Sequence, residues 1–229
     1  MRLKAENISR QYFRRTGDAN YFLAVKPLHL ELSGGETSVL MGRSGSGKTT
    51  LMNMLCGLLA PTEGKVWLDE ADLYSLDDRA LSCLRGERIG VVPQGRSAID
   101  TLTVMENILL PAKLYGRPLP AKEAQQWMER LGIVRLRDAR PAELSGGELR
   151  RMAIVRALAQ QPDFLFADEP TGDLDDENTH LVLSALRDYA HEREKAVFIV
   201  THENDATQYA DRSFRMNDGK IETLGGLIA

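Results

Sequence analysis

The sequence has few cysteines and no long apolar segment, and both features limit what the protein can be. Among its 229 residues only Cys56 and Cys83 are cysteines, and their spacing matches no metal-binding motif. Such a pair is typical of reduced thiols in a cytosolic protein. No stretch approaches the roughly 20 apolar residues of a membrane-spanning helix, and no signal peptide precedes the first predicted strand. We therefore expect a protein that is soluble by itself and reaches a membrane only through a partner.

The sequence also lacks an excess of charge of one sign. It contains 29 basic and 33 acidic residues, which give a net charge of −4. A nucleic-acid-binding domain normally carries a clustered basic excess, so we expect no nucleic-acid partner. The apolar fraction of 43% is normal for a globular protein with a substantial core, and the length suits one large domain.

Residues 42–49 have the sequence of a phosphate-binding loop. They fit the pattern G-x-x-x-x-G-K-[ST] and lie between an apolar run and a helix-forming run. The glycines would let successive backbone N–H groups point at one anion, and the following helix N-terminus would add a partial positive charge. Lys48 would bind the β- and γ-phosphates, and Thr49 would bind Mg²⁺. A simple glycine turn is the alternative, and the motif alone indicates only a nucleoside triphosphate.

Polar side chains follow three predicted core strands at the points where these strands end. They are Gln94, the adjacent acids Asp168 and Glu169, and His202. In open α/β sheets, ligands bind at the carboxyl ends of the strands. Because adjacent strand residues point to opposite faces, we expect Asp168 to hold Mg²⁺ and Glu169 to polarise a water. The alternatives are a solvated glutamine, two acids in a turn and a bystander histidine.

A further helix begins at Ser145, which forms a capping-box pattern with Glu148. Gly146 and Gly147 lie inside this cap although glycine is a poor helix former. A capping box alone does not require them. We therefore expect a ligand that needs bare N–H groups at this helix N-terminus, and an anion is the natural candidate.

The N-terminal segment predicts two strands, 2–8 and 22–32, with polar residues between them and a turn at Gly17–Asp18. Tyr12 or Phe13 could stack on a nucleobase. Packing of either ring on its own sheet fits the position equally well.

The rest of the pattern predicts an α/β core with a helical insertion. Residues 95–142 are interrupted by glycine and by Pro111, Pro118 and Pro120, and they contain predicted helices at 103–115 and 122–131. The core would consist of 1–94 and 143–229 in a single domain. Its other predicted elements are the strands 65–68, 89–92, 164–169, 196–200, 212–216 and 220–224 and the helices 72–85 and 176–193.

These motifs, in this order, resemble those of the ATP-binding cassette (ABC) family over essentially the whole chain. The most specific element is Leu144–Glu148, which is similar to the family's signature, although Glu148 stands where glutamine is commoner. The phosphate loop, Gln94, Asp168–Glu169, residues 171–175 and His202 complete the set. Residues 101–107 and 171–175 look most like the bacterial lipoprotein-release and macrolide-export ATPases.

The resemblance implies a fold and a set of roles. The fold would be a P-loop NTPase core with a parallel sheet, an N-terminal antiparallel β lobe and an inserted helical lobe, in the α/β class. Glu169 would be the general base, and His202 and Gln94 would assist it. Mg²⁺ would be held by Thr49, Gln94 and Asp168. ATP would be bound by Tyr12 (or Phe13), Gly42, Arg43, Ser44, Gly45, Ser46, Gly47, Lys48, Thr49 and Thr50 and, from a second copy, by Ser145, Gly146, Gly147 and Glu148.

The resemblance also implies partners. Two copies would form a head-to-tail homodimer with shared ATP sites and with residues 173–175 at the contact. A separate membrane permease would dock near Gln94 and the helical lobe, where Ile99, Leu102 and Val104 are candidates, and would hold the chain at the inner face of the cell membrane. The predicted function is ATP hydrolysis that powers export or extraction. The alternative is a cassette that signals to a membrane partner without transport. DNA-repair relatives carry long coiled coils, and no heptads occur here.

Overall fold

The computed structural model describes residues 1–13, 21–117, 121–172 and 174–226, which form two β-sheets with helices packed around them. The strands are β1 (Arg2–Phe13), β2 (Tyr21–Ser33), β3 (Thr37–Gly42), β4 (Glu63–Leu68), β5 (Ala71–Asp72), β6 (Ile89–Val92), β7 (Phe164–Asp168), β8 (Ala196–Thr201), β9 (Arg212–Asn217) and β10 (Lys220–Gly226). The helices are α1 (Lys48–Leu55), α2 (Asp78–Arg88), α3 (Val104–Leu114), α4 (Ala121–Arg130), α5 (Gly146–Ala159) and α6 (Asp176–Glu192). The architecture is of the predicted α/β class.

The larger sheet has the strand order β10-β9-β3-β8-β7-β6, and all neighbours are parallel except β9 and β10. β7 and β8 are buried along their whole lengths, as expected for parallel strands covered on both faces. The register pairs Met41 with Thr201 and Asp168 with Val200, so the carboxyl ends of β3, β7 and β8 lie at one edge. That edge gathers the phosphate loop and the polar residues that follow the core strands.

The smaller sheet is antiparallel, in the order β2-β1-β4-β5. β1 and β2 are longer than predicted, because Tyr12 pairs with Phe22 and Phe13 pairs with Tyr21 across the two strands. Cross-strand aromatic pairs stabilise antiparallel sheets, so the predicted polar connection was too long at both ends. The predicted turn at Gly17–Asp18 lies outside the described residues.

Helix α2 begins at Asp78 rather than at residue 72, where the sequence predicted it. Asp72 instead caps a short 3₁₀ helix, Leu73–Ser75, by accepting a hydrogen bond from the Tyr74 backbone N–H. Asp77 then caps α2 by accepting from the Ala80 N–H at 2.7 Å. Both aspartates are good N-cap residues, and the sequence pattern did not distinguish the two starts.

Pro111 lies inside α3 instead of breaking it, which corrects the prediction at this position. Proline removes one i→i−4 hydrogen bond. Val104, Ile108 and Ala112, on both sides of Pro111, are buried in the core that α3 shares with α5, and this packing maintains the helix. The breaks predicted at Pro118 and Pro120 lie outside the described residues.

Helix α5 joins the helical segment to the sheet. It packs against α3 and α4 on one side and contacts β6 and α6 on the other. One apolar core therefore runs from the sheet into the helices, and the predicted lobe boundaries at 95 and 142 stay a prediction. Within the described ranges, no helix is both long enough and apolar enough to cross a bilayer.

Candidate functional site

The phosphate-loop sequence forms a tight connection between β3 and α1. Gly47 is the N-cap residue of α1 and has a φ of 107°, a conformation that favours glycine. A Cβ atom at Gly47 would lie 2.2 Å from the carbonyl oxygen of Ala24, so no other residue fits here. Glycine offers no side-chain cap, and the first N–H groups of α1 remain available to an anion.

Two buried side chains of the loop bear on whether it suits a phosphate group. The Lys48 Nζ donates to the carbonyl oxygens of Gly42 at 2.8 Å and Arg43 at 3.0 Å, which holds the buried ammonium across the loop. The buried Ser46 hydroxyl has no hydrogen-bond partner among the described residues. An unsatisfied buried hydroxyl costs free energy, but Ser46 does not line the cavity beside the loop, so its hydroxyl does not indicate a phosphate site.

Asp168 and Thr49 meet at the end of β7. The Thr49 hydroxyl donates to Asp168 Oδ2 at 2.8 Å. Burial raises the pKa of Asp168, and the hydrogen bond from Thr49 partly offsets that rise. The described residues contain no cluster of three or more His, Cys, Asp or Glu side chains able to hold a metal. One carboxylate, a hydroxyl and the nearby Gln94 amide are nevertheless the hard oxygen ligands that suit Mg²⁺.

Glu169 has partners that differ from those of Asp168. Thr201 Oγ1 donates to Glu169 Oε2 at 3.1 Å, and His202 Nδ1 lies 2.9 Å from Glu169 Oε1. The hydrogen bond and the charge of Glu169 raise the pKa of His202. The strand-alternation argument for this separation was wrong, because β7 ends at Asp168 and Glu169 has a left-handed φ of 50°. The two carboxylates still point to different partners.

These residues line two neighbouring cavities at the carboxyl edge of the sheet. The first, which we call the nucleotide cavity, has a volume of about 890 Å³. The second has a volume of about 560 Å³ and contacts the start of α5. Gln94, Glu169 and His202 line both. The nucleotide cavity is also lined by Tyr12, Phe22, Ala24, Arg43, Ser44, Gly45, Gly47, Lys48, Thr49, Thr50 and Asp168, whereas Gly42 and Ser46 do not line it.

The start of α5 forms the predicted capping box. Ser145 Oγ accepts from the Glu148 N–H at 3.3 Å, and Glu148 Oε2 accepts from the Ser145 N–H at 2.9 Å. This bond lowers the pKa of Glu148, which also pairs with Arg135. Gly146 lines the second cavity, but none of the residues 145–148 lines the nucleotide cavity. The helix therefore does not complete the nucleotide cavity of its own chain.

Leu174 lies next to that helix start. A Cβ atom on Gly147 would approach Leu174 Cδ2 to 3.0 Å. Asp175 caps α6 by accepting from the Asn178 N–H at 2.8 Å. Asp173, predicted at a dimer contact, lies outside the described residues.

The structure distinguishes the two candidate base-stacking aromatics. Tyr12 lines the nucleotide cavity and stacks on Phe22 with ring centroids 5.8 Å apart, and the Arg10 guanidinium lies 4.9 Å from the Tyr12 ring centroid. Phe13 packs edge-on against Tyr21 and does not line that cavity. Tyr12 therefore packs on its own sheet and also faces the cavity, and its stacking on a base stays a prediction.

Sequence reasoning missed Arg150, a buried arginine on α5 that donates to backbone carbonyls at the ends of β6 and β7. A basic residue just before the buried run Met152–Val155 was the available signal. Phe22 and Thr201, which contact the site, were also not proposed.

Comparison with known proteins agrees with this geometry. A sequence model of the family described as ABC transporter matches residues 25–172. The lipoprotein-releasing system ATP-binding protein LolD 1 of Rhodopseudomonas palustris is 40% identical over 197 residues, which are 85% of this chain and 87% of that protein. The LolD protein of Aquifex aeolicus is 38% identical over 221 residues, 96% of this chain and 95% of that protein.

A solved structure gives the same result for the fold. It is described as a dimeric post-hydrolysis state of the ATP-binding cassette MJ0796 bound to ADP and Pi. Its TM-score with this chain is 0.88 at 33% sequence identity, and the match covers 98% of this chain and 100% of that chain. The predicted cassette fold is confirmed.

Proposed function

The chain belongs to the ABC transporter family, and we propose that it hydrolyses ATP to power export or extraction of a substrate through a separate membrane permease. Its ATPase activity follows from the family. Both relatives described above are named for lipoprotein release, and we propose the same process for this chain. The observation that carries the proposal is that the phosphate loop, Asp168, Glu169 and His202 line one cavity.

In the proposed site, residues 42–49 bind the phosphates of ATP, Thr50 assists and Tyr12 stacks on the base. Thr49, Gln94 and Asp168 would hold Mg²⁺, which would supply positive charge against the phosphate oxygens. The 2.8 Å contact between Thr49 and Asp168 supports this set, because two oxygen ligands already lie side by side.

Glu169 is the proposed general base, which accepts a proton from the water that attacks the γ-phosphate. Its carboxylate is held by Thr201 and His202, so contacts within the chain fix its orientation. His202 then contacts the γ-phosphate and the same water. Phosphoryl transfer depends mainly on positioning and electrostatics, and Gln94 at the rim of both cavities would help position the water.

We further propose a head-to-tail homodimer in which residues 145–148 of each copy contact ATP on the other. The dimeric state named for MJ0796 supports this assembly. Independent support comes from the described chain, since α5 offers a glycine-rich N-terminus that does not line its own nucleotide cavity. In that arrangement Ser145 and Gly147 would complete the site of the partner.

The structure changes one part of the permease docking surface that the sequence suggested. Val104 is fully buried in the core and cannot contact a partner, whereas Ile99 is 43% exposed. Leu58, Leu114 and Tyr115 are also exposed, and Leu58 and Tyr115 line a cavity of about 220 Å³ between α2, β6, α3 and α5. We name Leu58, Leu114 and Tyr115 the apolar rim and propose that the permease docks there, which would place the chain peripherally on the inner face of the cell membrane.

Signalling to a membrane partner without transport is a second candidate that uses the same ATPase site. The substitution Glu169→Gln tests the chemistry shared by both. We expect Mg-ATP binding to be retained and turnover to fall by about 10²–10⁴-fold, the usual contribution of a general base. Steady-state hydrolysis and equilibrium ATP binding measure the two effects. Glu222→Gln, on β10, is the matched control and should hydrolyse ATP normally; equal rates for the two variants would refute the proposed base.

A further inference from the structure

Arg150 connects α5 to the ends of two strands that carry proposed catalytic groups. Its side chain is 8% exposed, although it carries a full positive charge. Nη1 donates to the Pro93 carbonyl at 2.7 Å, at the end of β6. Nη2 donates to the carbonyls of Asp168 and Glu169, and Nε donates to the Pro170 carbonyl at 3.2 Å. One guanidinium thus binds backbone on both sides of the site.

These carbonyls belong to the residues whose positions decide the chemistry. Pro93 directly precedes Gln94, and the other acceptors include the backbone of both Asp168 and Glu169. Glu169 has a left-handed φ of 50°, a strained conformation that a non-glycine residue keeps only where its surroundings hold it. The planar fork of arginine can bind several carbonyls at once, whereas the single ammonium of lysine cannot hold the same geometry.

Because Arg150 belongs to α5, its hydrogen bonds link the position of that helix to the ends of the two strands. Arg150 lies one helical turn beyond Gly146, on the helix whose N-terminus lines the second cavity. A shift of that helix start therefore moves the guanidinium and, through it, the backbone that carries Gln94 and Glu169. The same helix start is where the proposed function puts the γ-phosphate of the partner copy.

We propose that Arg150 is a positioning residue for hydrolysis, which transmits the position of the α5 N-terminus to Gln94 and Glu169. The proposal rests on the proposed function and adds a residue to it. It assigns Arg150 an effect on turnover and not on ATP affinity, since none of the four carbonyl acceptors seen among the described residues lies in the phosphate loop.

The test compares Arg150→Gln with Arg212→Gln. Arg212 is a matched control, because it donates to the Glu31 carbonyl at 2.8 Å but lies at the amino end of β9, away from the site. We expect Arg150→Gln to lower kcat by about 10- to 100-fold, the size of effect that a small misplacement of catalytic groups produces. ATP affinity and KM should stay within about threefold of the wild type, as for a group that acts only in the transition state. Arg212→Gln should keep the wild-type kcat.

Two further variants separate positioning from general destabilisation. Arg150→Lys keeps the charge and should recover part of kcat. Arg150→Gln combined with Glu169→Gln should lose less than the sum of the two single losses, because residues that act as one unit are not additive; only the part that acts through Gln94 should remain. Additive losses, equal kcat values for Arg150→Gln and Arg212→Gln, or a matching loss of ATP affinity would overturn the proposal.

The remaining outcomes are also decisive. If Arg150→Gln does not fold, Arg150→Lys takes its place, and a wild-type kcat for that variant would refute the proposal. If neither variant folds, Arg150 is a structural residue and the proposal is wrong. Failure of the proposed function is recognised separately, because Glu169→Gln would then hydrolyse ATP at the wild-type rate.

Discussion

Lys48 holds its ammonium group across the phosphate loop, because its Nζ donates to the Gly42 and Arg43 carbonyls. We expect Lys48→Ala to abolish ATP binding, since it removes a buried cation from the loop that would hold the phosphates. A fluorescent ATP analogue measures the affinity. Lys26→Ala removes a lysine that pairs with Asp218 at 2.6 Å and serves as the control. Unchanged affinity in Lys48→Ala would refute the phosphate-loop assignment.

His202 gives a prediction about pH. Its pKa is raised by the hydrogen bond that its ring donates to Glu169 and by the charge of that carboxylate. The contribution of the His202–Glu169 pair to folding stability is fully present below the ordinary histidine pKa of about 6.5. It is lost as the pH rises through the raised pKa of His202. We expect Glu169→Gln to lower the His202 midpoint in an NMR titration of the histidine ring protons. Glu222→Gln, the control variant on β10, should leave the His202 midpoint unchanged. A His202 midpoint that did not move in Glu169→Gln would show that the pair does not form in solution.

At the scale of single residues, the sequence predicted the site residues that belong to a recognisable sequence pattern and missed those that do not. Glu169 and His202 follow core strands, so strand-end reasoning was enough to expect them at one edge. Arg150 binds backbone carbonyls, which every residue possesses, and no spacing in the sequence marks such contacts. The choice of Tyr12 over Phe13 depends on strand alternation, and the sequence did not show that β1 continues to residue 13.

Two helices begin with the same capping box, and comparing them tests what is particular to α5. Thr103 and Glu106 form it at α3, as Ser145 and Glu148 do at α5. Thr103→Ala and Ser145→Ala should each lower the free energy of unfolding by about 1 kcal/mol, the usual cost of a lost N-cap. Only Ser145→Ala should also slow ATP hydrolysis, because only that start carries Gly146 and Gly147 for a phosphate. Denaturant unfolding and steady-state turnover check the two effects, and equal turnover in the two variants would contradict the prediction.

At the scale of elements, the predicted helix boundaries were wrong where local signals competed with each other or with packing. Two capping aspartates in succession left the start of α2 ambiguous, and the later one prevailed. Pro111 is a helix breaker by itself, but the buried face of α3 holds the helix through it. The core strands were predicted correctly because continuous apolar runs such as β7 and β8 have few alternatives.

On the surface of the whole molecule, the apolar rim makes the permease proposal testable. Leu114 is 74% exposed on that rim. We expect Leu114→Asp to leave basal ATP hydrolysis unchanged and to reduce the fraction of tagged chain that sediments with membranes of the native host. Leu224→Asp, at an exposed position on β10, is the control. Equal sedimentation of the two variants would exclude the rim as the docking surface.

The sheet order explains why the active site could be anticipated from widely separated motifs. β3, β8, β7 and β6 are neighbours in the sheet, although they are far apart in the sequence. Once these segments are parallel strands of one sheet, their carboxyl ends must meet at one edge. No comparable rule predicts how two copies of the chain pack together, because the sequence pattern of one chain does not fix the geometry of a dimer.

The proposed head-to-tail dimer is tested by adding Mg-ATP to the Glu169→Gln variant. If residues 145–148 of one copy contact ATP in the nucleotide cavity of the other, a variant that binds ATP but hydrolyses it slowly must accumulate as a dimer. Size-exclusion chromatography with and without Mg-ATP measures this, and the dimer should appear only with the nucleotide.

The matched control is Glu169→Gln combined with Ser145→Arg. The arginine would occupy the helix start that meets the partner's phosphate, while the phosphate loop of the same chain is untouched, because Ser145 does not line its nucleotide cavity. We therefore expect the double variant to bind ATP with unchanged affinity and to remain monomeric. A double variant that dimerised as well as Glu169→Gln would place the contact elsewhere, and a Glu169→Gln protein that stayed monomeric with ATP bound would refute the shared site for the chain on its own.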